Sequence, residues 1–185
     1  MKPTIKTLGD VLYSQSQYII PVFQRNYRWE EPQWAQMWES LEEIQAPEKR
    51  GNHFMGFLVF VPGLAQPGQP TAFHLIDGQQ RLTTLSILLV AIRNIAEKMG
   101  QQDLAKEIQD YFLVHPNRKH DERFRLLPKE RDHDSYVSIV ERKGSATGRI
   151  AGALEYFEGR LSASLGGDPA ALKRVFVAVC NRFEV

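Results

Sequence analysis

An α+β fold is what this sequence predicts: a small mixed sheet, one long buried helix and a mainly helical second half. Three observations carry that expectation. Short apolar runs at residues 18–20, 53–61 and 73–76 are bounded by turn-forming residues, as strands are. Residues 82–99 are apolar nearly all round for three turns, which marks a helix covered on several sides. Beyond residue 130, apolar residues recur at helical spacing in three segments punctuated by Gly144, Gly148, Gly166 and Gly167.

Taken in order, residues 7–13 read as a short helix capped by Thr7, with Leu8, Val11 and Leu12 on one side. Residues 18–20 form a strand closed by Pro21. A helix over 31–45 accepts Pro32 in its first turn and carries Trp34, Met37 or Trp38, Leu41 and Ile44 as a packing stripe. HFMGFLVFV, at 53–61, is continuously apolar and fits a buried strand. The Pro- and Gly-rich loop 62–70 then makes a hairpin with the strand at 73–76. After the long helix, residues 102–113 are helical, 115–123 a charged loop and 124–127 a short strand. Helices come next at about 130–141, 148–163 and 169–181. The last five residues begin an apolar alternation, as if a strand of a larger protein started there. The expected organisation is a core over residues 1–100 and a mainly helical extension of the same domain over 101–185.

Composition narrows the class. A chain of 185 residues with 43% hydrophobic content supports a sizeable core. A formal net charge of +1 argues against a generally basic nucleic-acid binder and leaves room for a local patch. The single cysteine, Cys180, excludes a disulfide framework and a cysteine-based zinc site, so a reducing cytoplasm is the simplest home. No signal segment opens the sequence and no run reaches the length of a membrane span. His115, His120 and His133 lack metal-ligand spacing.

Two stretches carry residues that packing does not require. In FHLIDGQQRLTT, at 73–84, a strand, a tight turn and a helix start aim free backbone N–H groups at one point, where an anion is held best. Asp77, Gln79, Gln80 and Arg81 sit there, with Arg81 about one helical turn after Asp77. The alternative is that Asp77 and Gln80 are only a capping box. In PVFQRNYRW, at 21–29, Gln24, Arg25, Asn26 and Arg28 alternate with Phe23, Tyr27 and Trp29. Rings and guanidinium planes stack on planar ligands, and arginine pairs with phosphate. The alternative there is a set of core plugs with arginine stems packed over them. Each stretch comes directly after an apolar strand. If those strands are parallel neighbours, both stretches open on one crevice, where Arg25 and Arg81 would meet the same phosphates.

IPVFQRNYRW at 20–29, HFMGFLVF at 53–60 and IDGQQRLTTL at 76–85 together resemble the N-terminal domain of GmrSD-type restriction endonucleases, the family also described as domain of unknown function 262. That resemblance implies a ParB/sulfiredoxin-like fold and a nucleoside-triphosphate hydrolase serving restriction of modified phage DNA. It implies that Asp77, Gly78, Gln79, Gln80 and Arg81 form the hydrolysis motif, with Gln24, Arg25, Arg28 and Thr84 binding nucleotide. Arg81 would stabilise phosphate charge, and Asp77 would position water directly or through Mg²⁺. DNA would be cut by an HNH-type nuclease domain or subunit, since no such signature occurs in these 185 residues. A homo-oligomer is compatible with this reading. Two other readings stay open: a nucleotide switch with little hydrolysis, and a DNA- or protein-binding module.

Overall fold

The computed structural model describes residues 4–46, 48, 51–64, 71–128 and 130–185. Lys49, Arg50 and the loop beyond Leu64 as far as residue 70 lie outside the described residues. Helix α1 (Leu8–Leu12) opens on a capping box, in which Thr7 and Asp10 each satisfy the other's backbone N–H. Strand β1 (Ser16–Ile19) is next, then α2 (Glu31–Gln45) with its proline in the first turn and Trp34, Met37, Trp38, Leu41 and Ile44 buried.

The expectation of one buried strand over 53–61 is corrected. That run divides into β2 (His53–Phe54) and β3 (Val59–Pro62), and none of its residues is fully buried. Gly56, at φ +102°, breaks the extended path between them. Strand β4 (Thr71–Asp77) is antiparallel to β3, which agrees with the expected hairpin.

Strand β4 is also parallel to β1, in the register Tyr18 opposite Phe73 and Ile19 opposite His74. A short β5 (Leu126–Leu127) runs parallel along the other side of β1, giving the order β3-β4-β1-β5. The residues of the closing alternation form β6 (Phe183–Glu184), which pairs with β2.

Helix α3 (Gln79–Lys98) begins three residues earlier than the apolar pattern implies, and sixteen of its residues are buried. Helices α4 (Gln102–Ile108), α5 (His133–Glu141), α6 (Gly148–Leu165) and α7 (Pro169–Arg182) surround it, α4 continuing into a wider turn over Gln109–Leu113. Contacts of α3 with α4, α5, α6 and α7 make it the axis of the core. An α+β chain with a small mixed sheet and a central helix is therefore what folds. Among the described residues, no helix is long and apolar enough to cross a membrane.

Candidate active site

The carboxyl ends of β1 and β4 lie side by side because the two strands are parallel neighbours. Strand β1 leads into the loop 20–30, and β4 leads into Gly78 and the start of α3. The two segments are tied together. Gln24 donates its amide N–H to the Ile76 carbonyl at 2.8 Å. Gln80 accepts from the N–H of Arg28 at 2.6 Å and of Trp29 at 3.3 Å, and donates to the Asn26 carbonyl at 3.0 Å. A buried chain of donors adds a further tie. Trp34 Nε1 only donates, so the Tyr27 hydroxyl accepts from it at 2.8 Å and donates to Thr84 Oγ1 at 2.7 Å. Thr84 in turn donates to the Gln80 carbonyl at 2.8 Å. Asp132 holds the loop from its other side, accepting the Tyr27 N–H at 2.6 Å.

The turn is not a capping box. Asp77 is the last residue of β4, opposite Val59, and its side chain is exposed. The N-cap is Gly78, at φ +87°, and no side chain caps the helix. A Cβ at Gly78 would stand 2.5 Å from Leu58 Cδ2 and 3.0 Å from the Phe57 carbonyl oxygen, so both backbone conformation and close approach call for glycine here. The amides of Gln79, Gln80 and Arg81 therefore open α3 with no acceptor among the described residues. With the helix dipole behind them, these groups favour an anion.

Arg81 reaches back over β3. Its Nη1 donates to the Phe57 carbonyl at 3.0 Å, and its guanidinium lies where a Cβ on Gly56 would be, 2.9 Å from Cζ. Arg25 and Arg28 are exposed, and no carboxylate among the described residues pairs with Arg25, Arg28 or Arg81. Gln79 is 7% exposed, and its side chain has no hydrogen-bond partner among the described residues. Thr84 is fully enclosed, so it acts on the loop through Tyr27 and not by touching a ligand.

Phe57 and Leu58 also line a cavity of about 430 Å³, in which Val11, Tyr18, Phe60 and Phe73 form an apolar side and Lys6, Asp10, Ser14 and Ser16 a polar one. Asp77 and Arg81 do not line it, so cavity and polar turn are neighbours sharing one segment of chain. Sequence reasoning missed Asp132, which lies in a stretch that reads only as a helix start. It also missed the role of Gly56, although a glycine inside an apolar run is the usual sign of a close backbone approach.

The GmrSD restriction endonuclease N-terminal domain family matches this chain over residues 8–176. The chain belongs to that family. It is thus a GmrSD N-terminal domain, a module of restriction proteins, and the turn just described falls inside the matched region. No curated protein matches the chain.

Proposed function

We propose that this GmrSD domain binds a nucleoside triphosphate at the start of α3 and transfers its terminal phosphoryl group to water, in the service of restricting modified DNA. The observation that carries the reading is the uncapped amino end of α3, whose first three N–H groups lack acceptors among the described residues, beside three arginines without carboxylate partners there. Phosphoryl transfer needs positioned charge more than covalent chemistry. The α3 amides cradle phosphate oxygens, and Arg81, steadied by Phe57, stabilises charge as it develops. Arg25 and Arg28 supply further cationic contacts from a loop that Gln24 and Gln80 hold in place. Gln80 has both amide ends engaged, so the glutamine available to orient water is Gln79.

Asp77 alone supplies a carboxylate in the turn, and the described residues contain no cluster of three metal-ligating side chains. This fits Mg²⁺, which is commonly held by one or two carboxylates plus substrate phosphates. Asp77 would hold it, and the ion would neutralise phosphate charge. The HNH-type nuclease and DNA are the partners this reading requires. The test is phosphate release from nucleoside triphosphates, with and without Mg²⁺, by the wild type and Arg81→Ala. The variant should bind less nucleotide and lose on the order of 2–4 kcal/mol of transition-state stabilisation, with its melting temperature checked in parallel. Normal turnover by Arg81→Ala would remove the assignment. Tight nucleotide binding without turnover by the wild type would make the domain a nucleotide switch instead.

A further inference from the structure

Three aromatic rings stand together on one face of the sheet. Tyr18 of β1, Phe60 of β3 and Phe73 of β4 meet with centroids 4.8, 6.0 and 6.3 Å apart, and all three line the cavity of about 430 Å³. Helix α1 and the residues flanking it bring polar groups to the same cavity. Asp10 spends only Oδ2 on the capping box, so its Oδ1 has no donor among the described residues. Lys6, whose charge acts on Asp10, is exposed and forms no salt bridge among those residues. The carboxylate can only accept and the ammonium can only donate. A wall of rings facing one free acceptor and one free donor suits a flat heterocycle, which stacks through its face and hydrogen-bonds through its rim.

The cavity also reaches the α3 turn. Val59, one of its lining residues, is the register partner of Asp77, and Leu58, another, is the side chain against which Gly78 is packed. Phe57 lines it too and holds Arg81 through its carbonyl. Phe73 and Asp77 share one face of β4 and lie about 13 Å apart along the strand. A ligand with its phosphates on the α3 amides therefore has room among the rings for its other end. We propose that this cavity is the nucleobase pocket of the nucleotide site. The base of a nucleoside triphosphate stacks on the ring cluster, with Phe60 as a principal contact. Its N–H edge donates to Asp10 Oδ1, and a carbonyl or ring nitrogen accepts from Lys6. The assignment rests on the phosphate site proposed above, and it makes the site selective for nucleotides over other polyphosphates.

Calorimetric titration of the wild-type chain, in Mg²⁺, with the four ribonucleoside triphosphates and with ribose 5-triphosphate tests this. Ribose 5-triphosphate keeps the phosphates and the sugar and lacks the base. At least one nucleoside triphosphate should bind about tenfold more tightly than ribose 5-triphosphate, the scale of one base stacked on an aromatic ring. Equal affinities for all of them overturn the base pocket and leave the phosphate site standing; no binding of any overturns both. Phe60→Ala should erase the advantage of the nucleotide and leave the ribose 5-triphosphate affinity unchanged, whereas Arg81→Ala should weaken every ligand alike. A Phe60→Ala protein that keeps the advantage overturns the pocket. Should Phe60→Ala fail to fold by circular dichroism, Lys6→Ala, at an exposed position, takes its place. It should narrow the advantage by about threefold, the scale of one hydrogen bond. An unchanged advantage, or a loss shared equally by ligands with and without a base, overturns the pocket.

Discussion

Gln80 uses both ends of its amide on the backbone of the loop 26–29, while its neighbour Gln79, equally enclosed, uses neither among the described residues. Two glutamines indistinguishable in sequence therefore separate by geometry, one positioning the loop and the other available to a ligand. Gln79→Ala should lower the rate of triphosphate hydrolysis with little change in melting temperature. Gln80→Ala strands two N–H groups and a carbonyl, and should cost about 1–3 kcal/mol of stability as well as activity. Thermal melts run beside phosphate release distinguish the two patterns, and matching melts with matching rates would reject the division of labour. Asp77 is separated from structure in the same way. It is exposed, caps nothing and ends a strand, so Asp77→Asn should leave stability within about 0.5 kcal/mol of the wild type. Its effect should appear in hydrolysis alone; full activity across a range of Mg²⁺ concentrations would show that the carboxylate has no part in the reaction.

At the scale of elements, α3 is both the core axis and the floor of the site, which is why its start and its middle are unequally legible. Leu82 to Ala96 forms an all-round apolar pattern that only a central helix satisfies, and that much is readable in the sequence. The three preceding helical residues are polar, so the apolar pattern alone places the start at Leu82, and the capping box read at Asp77 and Gln80 does not form because Gly78 is the N-cap. Arg93 is the exception inside the apolar stretch. It closes the carboxyl end of α5 by donating to Val140 at 2.7 Å and Ile139 at 2.9 Å, where helix carbonyls lack partners and a cation is favoured. Burial lowers its pKa to about 10, still charged at neutral pH. Arg93→Met should destabilise the chain by about 3–5 kcal/mol, because carbonyls and the Gln109 amide are left without their donor. Denaturant unfolding checks this, and a loss under about 1 kcal/mol would mean that α5 ends without needing the cation.

Across the whole molecule, what the sequence could convey was local. Strand, turn and helix around Asp77–Arg81, the parallel placement of β1 beside β4 and the hairpin of β3 with β4 all agree with apolar runs and their punctuation. The run 53–61 misleads because apolar content alone does not distinguish a buried strand from a half-covered segment broken by a glycine, and Phe54, Phe57 and Val61 are 47%, 60% and 47% exposed. Long-range enclosure is equally invisible, and His115 is its clearest instance: in the sequence it stands in a charged loop, in the fold it is enclosed beside β1. Its titration sets an acid limit for the chain. The unfolded imidazole binds a proton near pH 6.5, whereas the folded one does so only near 4. Between those values the unfolded state holds the extra proton, so stability falls as pH falls, by up to about 3 kcal/mol once both pKa values are passed. His133 works the opposite way: its pKa is raised by the carboxylates of Asp134 and Asp121, so its contribution is present below pH 6.5 and lost as pH rises through the raised value. Asp10 and Asp168, held low by their capping hydrogen bonds, lose stability only further down, as pH falls below about 4. Unfolding free energies measured from pH 7.5 to 4.5 in potassium glutamate should therefore decline for the wild type, and His115→Gln should flatten the decline between 6.5 and 4.5. A variant that tracks the wild type across that interval would show that His115 protonates freely in the folded chain.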